Sequence, residues 1–218
     1  MSTKKVSAVL FDFDGVVMNT ESQYTVFWDK QGIKYLGITD FGMLMKGVTL
    51  KEIFQKFFAG RTAEQEQIAK ELELFESRIE YSFIPGFCEF IADLKSNNIK
   101  TGLVTSSGSV KMQNVYHLYP DFKTFFDIIL TAENFLHSKP NPECFMLGMQ
   151  MLNSEPENTF VFEDSFYGLE AAMRSSAIVA GLTTTNSYAK IVEMAHYIIN
   201  DFSSMSFEKL VSWRNNRD

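Results

Sequence analysis

Val6, Ala8, Val9, Leu10 and Phe11 form an almost unbroken apolar run, the pattern of a strand buried on both faces. It stops at Asp12-Phe13-Asp14-Gly15. From Tyr24 the period changes from strand to helix. Tyr24, Phe27, Trp28 and Gln31 share a helical face, and this helix is predicted to end near Gly32. Thr49 followed by Glu52 has the spacing of a capping box for a second helix, with Ile53, Phe54, Phe57 and Phe58 as its apolar face and Gly60 as its stop. Thr62 is placed to cap a third, whose stripe is Ile68, Leu72, Phe75 and Ile79. Residues 18–82 thus read as an all-helical unit of three or four packed helices. Pro85-Gly86 marks a boundary. Beyond it the pattern predicts helix 86–97, strand 100–104, a helix after 105–108, strand 127–130, a helix from near Pro142, strand 159–162, helix 166–175, strand 178–182, a short helix and a weak strand 197–199. Strict alternation of strand and helix implies an α/β class with a parallel sheet covered on both faces. The first strand must join that sheet, so the helical unit is an insertion after it.

Composition narrows the function more than the fold. In 218 residues, 45% are hydrophobic, enough for a sizeable core, and the 21 Phe and 11 Met read as its filling. A net charge of -7 argues against a nucleic-acid or anionic-membrane partner, without excluding a phosphorylated substrate bound by a local cation. Cys88 and Cys144 have no metal-type spacing and read as reduced thiols. Met1-Ser2-Thr3-Lys4-Lys5 leads straight into the first strand without an apolar signal core, and no apolar run is long enough to span a bilayer. The expected location is the cytoplasm.

Asp12 and Asp14 are two residues apart on an extended chain, so their side chains point the same way. Two carboxylates that close need a cation between them or a shared proton, and oxygen-only ligands favour magnesium. Three later clusters fall at the carboxyl ends of predicted strands, where open parallel sheets bind ligands. They are Thr105-Ser106-Ser107, Ser138-Lys139-Pro140 and Glu163-Asp164-Ser165. Each alone has an ordinary explanation, as a helix cap or a solvated turn. All four on one rim suit phosphoryl transfer. Magnesium and a lysine offset charge on the phosphoryl oxygens, hydroxyls and backbone N–H groups bind another oxygen, one carboxylate is a nucleophile and the other moves protons.

Asp12-Phe13-Asp14-Gly15-Val16, Thr105-Ser106-Ser107, Lys139-Pro140 and Glu163-Asp164-Ser165 with Gly168 run in order across almost the whole chain. On these motifs the chain resembles a haloacid dehalogenase superfamily phosphatase, close to the β-phosphoglucomutase-like subgroup. The resemblance implies a Rossmann-like core at 1–17 and 83–218, with an all-helical cap at 18–82 that closes on hinges near 17–19 and 83–86. It implies Asp12 as nucleophile and Asp14 as general acid/base, with Thr105 and Lys139 binding the phosphoryl group. Magnesium would be held by Asp12, the Asp14 backbone carbonyl and Asp164, with Glu163 counted among the metal residues beside it. Ser106, Lys46 and Tyr24 join the substrate-binding set. The implied activity is magnesium-dependent hydrolysis of a small phosphorylated metabolite, a sugar phosphate, through an aspartyl-phosphate.

Departures from the pattern bear on specificity. Asn19 stands where the family has an aspartate. The mutase of this subgroup has an arginine at Leu50, a histidine at Tyr24 and a lysine at Gly108, so a hexose-phosphate mutase is the alternative reading. Lys51 is expected to point away from the site. A signalling phospho-acceptor domain is resembled less well, having no cap and no acceptor aspartate on its first strand.

Overall fold

The computed structural model describes residues 5–217; residues 1–4 and 218, and with them most of the segment read above for a signal, lie outside the described residues. Strand β1 (Ala8–Phe11) is buried throughout. Four helices follow it, α1 (Glu21–Leu36), α2 (Phe41–Met45), α3 (Leu50–Phe57) and α4 (Thr62–Glu76). The chain then runs through α5 (Phe87–Ser96), β2 (Lys100–Val104), α6 (Ser109–Leu118), β3 (Ile128–Leu130), α7 (Glu143–Leu152), β4 (Thr159–Glu163), α8 (Phe166–Arg174), β5 (Ile178–Leu182), α9 (Tyr188–Ile191), β6 (Tyr197–Ile199) and α10 (Phe207–Asn215). The strands form a six-stranded sheet in the order β3-β2-β1-β4-β5-β6. All neighbours pair in parallel, as the alternation predicts.

Alternation along β1 divides the core. Val9 and Phe11 face one layer with α5 and α10, while Ala8 and Leu10 face the other with α7 and α8. The phenylalanines gather in the first layer. The Phe11 ring meets Phe162 at 5.3 Å, Phe87 at 5.5 Å and Phe202 at 5.9 Å. Such ring pairs add about 0.5–1.5 kcal/mol each beyond area burial, which anchors the strand whose end carries the two aspartates.

The inserted helices have their own apolar centre, in which Phe27, Trp28, Phe41, Ile53, Ile68 and Leu72 pack together. Helix α1 does not end at Gly32 but continues to Leu36, with the left-handed residue at Gly37. Gly32 serves packing instead: a Cβ there would lie 2.3 Å from the Cβ of Phe41 on α2. Thr49 caps α3 by accepting from the Glu52 N–H at 3.4 Å. The Glu52 carboxylate does not complete the box; it accepts from Ser138 N–H in the sheet-bearing part at 2.7 Å. Thr62 is the first residue of α4 rather than its cap, which is Arg61, and α4 ends before Ile79. Helix α10 has no counterpart in the hydrophobic pattern. It is held by a Ser206 cap and by Trp213, whose ring stacks on Tyr197 at 4.1 Å.

The chain enters and leaves the insertion side by side. Asn19 N–H donates to Ser82 O at 2.8 Å and Ile84 N–H to Val17 O at 3.0 Å. The Asn19 side chain is exposed, so the departure from aspartate leaves this crossing intact. Among the described residues no helix is long and apolar enough to cross a membrane.

Candidate active site

Register brings the motifs together. Phe11 is level with Leu103 on β2 and with Phe162 on β4. Asp12 therefore follows the central strand at the same height as the ends of its two neighbours, where Thr105 and Glu163-Asp164 begin their loops. Asp12 N–H continues the ladder to Phe162 O at 3.0 Å. A cavity of about 660 Å³ opens there between the sheet edge and the inserted helices, lined by Asp12, Asp14, Thr105, Ser106 and Asp164 on one side and by Tyr24, Lys46 and Leu50 on the other.

Lys139 is buried at the centre of the carboxylates. Its ammonium donates to Asp12 Oδ1 at 2.5 Å and to Glu163 Oε1 at 2.7 Å. Burial opposes its charge, but Asp12 and Glu163 outweigh that and raise its pKa. Burial also pushes the Asp12 carboxyl up to about 8 on the protein's own charges, against the pull of Lys139. The other oxygen of Glu163 accepts from Asp164 N–H at 2.7 Å and Ser165 N–H at 2.8 Å. Both oxygens of Glu163 are thus engaged inside the protein. Gly168 is a glycine because of this carboxylate: a Cβ would lie 1.8 Å from Glu163 Oε1. Gly168→Ala is expected to lower stability by about 1–3 kcal/mol, the usual range for overpacking, with guanidinium unfolding as the measurement.

Among the described residues no three His, Cys, Asp or Glu side chains already stand together as a metal cage. The donor set nevertheless fits a hard cation that takes two carboxylates and a backbone carbonyl. Asp164 Oδ2 is buried and, among the described residues, has no hydrogen-bond partner. Burial, then the charges of Glu21 and Glu163, raise the Asp164 carboxyl well above its ordinary value. Gly15, at φ +78°, leaves this oxygen its space, since a Cβ there would come within 2.0 Å of it. Asn186 donates to Asp164 O at 2.9 Å and Thr184 to Gly15 O at 2.6 Å, fixing both loops from the end of β5.

The hydroxyl loop is tied on two sides. Thr105 Oγ1 accepts from Ser107 N–H at 3.0 Å, and Ser106 Oγ donates to Gly47 O of the insertion at 2.8 Å. Both insertion residues expected at the substrate line the cavity but also have protein partners. Lys46 pairs with Glu21 at 2.6 Å, and Tyr24 OH donates to Glu76 at 2.8 Å. Lys51 also lines the cavity, against the expectation that it turns away. It sits in the first turn of α3 and is exposed.

Three residues surround Asp14, of which Lys111 and Thr20 are absent from the sequence-based motifs. Lys111 on α6 donates to both Asp14 oxygens at 2.6 Å, and Ser107 Oγ donates to Oδ2 at 2.9 Å. Thr20 Oγ1 donates to Oδ1. Lys111 lies in the first turn of the helix that follows Ser107 and donates to that hydroxyl at 2.9 Å.

A parallel sheet whose carboxyl edge carries these groups is that of an α/β enzyme. The sequence matches the haloacid dehalogenase-like hydrolase family over residues 9–182, and the chain belongs to that family. It is 30% identical over 183 residues, 77% of this chain and 80% of the relative, to a phosphorylated carbohydrates phosphatase of Thermotoga maritima. Its fold is similar to that of a HAD hydrolase, family IA, variant 3, from Entamoeba histolytica, with a TM-score of 0.82 and 21% identity over 96% of this chain and 100% of that one. A β-phosphoglucomutase from Clostridium difficile is similar at a TM-score of 0.76 and 25% identity, over 96% of this chain and 97% of that one.

Proposed function

We propose that the chain is a magnesium-dependent phosphatase that hydrolyses a small phosphorylated metabolite, with sugar phosphates as the class, through an aspartyl-phosphate on Asp12. The observation that carries this reading is Asp12 at the end of the central strand, lining the cavity with one oxygen held by buried Lys139. Asp12 attacks phosphorus as the bond to the leaving oxygen breaks, and Asp14 gives that oxygen a proton. In the second half, Asp14 takes a proton from the attacking water, inorganic phosphate leaves and Asp12 is restored. Lys139 offsets charge on the phosphoryl oxygens, and the Thr105 hydroxyl and the Ser106 N–H are further donors to them. Asp12, the Asp14 backbone carbonyl and Asp164 would hold magnesium, which when bound supplies further positive charge to the phosphoryl oxygens.

In this reading residues 18–82 act as a cap over the core at 1–17 and 83–218. Its seating on the core through Ser106–Gly47 and Glu52–Ser138 supports exclusion of bulk water during the reaction. The similarity to a phosphatase of phosphorylated carbohydrates supports the substrate class. A cytoplasmic setting, with no nucleic-acid or membrane partner, belongs to the same reading.

The test is a turnover screen with magnesium against sugar phosphates, nucleotides, pyrophosphate and p-nitrophenyl phosphate. Phosphate release from a sugar phosphate is expected, and no release from any of them overturns the proposal. The raised carboxyls of Asp12 and Asp164 set how magnesium binding should follow pH. Carboxyls pushed up by burial hold protons that a metal must displace, so affinity rises with pH until those protons are gone. The half-saturating magnesium concentration should fall as pH is raised from about 6 to about 8, the value reached by Asp12. A pH-independent magnesium titration would remove Asp12 and Asp164 as its ligands.

A further inference from the structure

We propose that Lys111 is a positioning residue that acts through Asp14: it sets where this carboxylate stands and yields one contact to the substrate's leaving oxygen. The inference rests on the acid/base role given to Asp14 above.

The acceptor positions of Asp14 are full. Oδ1 accepts from Thr20 Oγ1 and from Lys111 Nζ, and Oδ2 accepts from Ser107 Oγ and from the same Nζ. A carboxylate has about four lone-pair positions, so none is left for a substrate oxygen. For Asp14 to exchange a proton with a leaving group or with water, one of these contacts must open. Thr20 and Ser107 are short side chains in the loops beside it. Lys111 has three donors on a flexible stem and spends two on Asp14 and one on Ser107. It also lines the cavity, so an N–H released from Asp14 has the substrate as its next partner.

The position of that ammonium depends on both parts of the molecule. Lys111 and Asp14 belong to the sheet-bearing part. The face of Tyr24 lies 4.0 Å from the Lys111 ammonium, and the Tyr24 hydroxyl donates to Glu76 on α4. Helices α1 and α4 of the insertion thus confine the cation that confines Asp14. The Phe13 ring, 5.0 Å away, closes the other side. No new covalent step is involved. The proton that Asp14 gives to the leaving oxygen in one turnover is the one it took from water in the turnover before.

The experiment compares leaving groups. Phosphates of a primary alcohol (glucose 6-phosphate, ribose 5-phosphate or glycerol 3-phosphate, whichever the wild-type chain turns over fastest) need a proton on departure, whereas p-nitrophenolate leaves from p-nitrophenyl phosphate without one. The ratio kcat/KM reports the step in which that group departs. Lys111→Met is expected to lower kcat/KM by about 10- to 100-fold on the alcohol phosphate, part of what general acid catalysis supplies, and by less than about 3-fold on p-nitrophenyl phosphate. Lys111→Arg should recover part of the loss. Ser107→Ala removes only the shared hydroxyl and should show the same split at smaller size, which keeps the test informative if Lys111→Met does not fold. A purely structural lysine would lower both substrates together, so equal losses, or no loss on either, overturn the inference. A wild-type chain inactive on all these esters instead overturns the phosphatase reading, and the inference falls with it.

Discussion

Asp12→Asn is expected to reduce turnover of every phosphomonoester by roughly 10⁴-fold or more, the scale of losing a covalent nucleophile. The substitution keeps the shape and removes the charged oxygen that attacks phosphorus. It should leave the chain folded, because Lys139 keeps its second carboxylate, Glu163 at 2.7 Å, and is not left as an unpaired buried charge. Two measurements separate this from a general loss of activity. The melting temperature should stay near that of the wild type. Acid-quenched wild-type protein should carry one extra phosphoryl group by mass during turnover, and Asp12→Asn should carry none. A variant that keeps more than a hundredth of the turnover, or still gains the phosphoryl mass, would move the nucleophile to another residue.

What could be read from the sequence follows from how local each determinant is. The central strand was legible because it is buried on both faces, which forces an unbroken apolar run at Ala8–Phe11. The carboxyl-edge loops were legible because a parallel sheet sends each strand end to the same rim, so Asp12, Thr105, Lys139 and Asp164 needed only strand order to converge. The misses depended on distant contacts. Gly32 looks like a helix stop in isolation, and only the approach of Phe41 shows it to be a packing position. Glu52 has the spacing of a capping box but is drawn to Ser138, 86 positions along the chain. Lys111 is one lysine in the first turn of a helix, and its ties to Asp14 and Tyr24 exist only once three segments meet. That both oxygens of Glu163 are engaged could not be read from the sequence for a related reason. Which carboxylate has a free oxygen is decided by backbone N–H groups, and composition says nothing about those.

The chain is expected to release inorganic phosphate from sugar phosphates and to interconvert glucose 1-phosphate and glucose 6-phosphate hardly at all, even with a bisphosphate primer. A mutase must hold a bisphosphate in two orientations, with one phosphate at Asp12 and the other gripped across the cavity. An arginine fork suits that grip, contributing about 1.5–3 kcal/mol per charged hydrogen bond. Leu50 stands on the cavity wall where the resemblance places that arginine, and it offers no donor. The lysines nearby are poor substitutes. Lys46 is paired with Glu21 at 2.6 Å, and Lys51 is a single ammonium without a fork. Glu73 and Glu76 of α4 also line the cavity, and any negative charge they carry opposes a second phosphate there. The assay supplies β-glucose 1-phosphate, primer and magnesium, and follows glucose 6-phosphate and free phosphate together. Leu50→Arg should bind bisphosphorylated sugars about tenfold more tightly, as one added charged hydrogen bond implies. Rapid isomerisation with negligible phosphate release would overturn the phosphatase reading. Lys51 would then be the cation that holds the distal phosphate, and Lys51→Ala should abolish the isomerisation while leaving phosphoryl transfer to Asp12 in place.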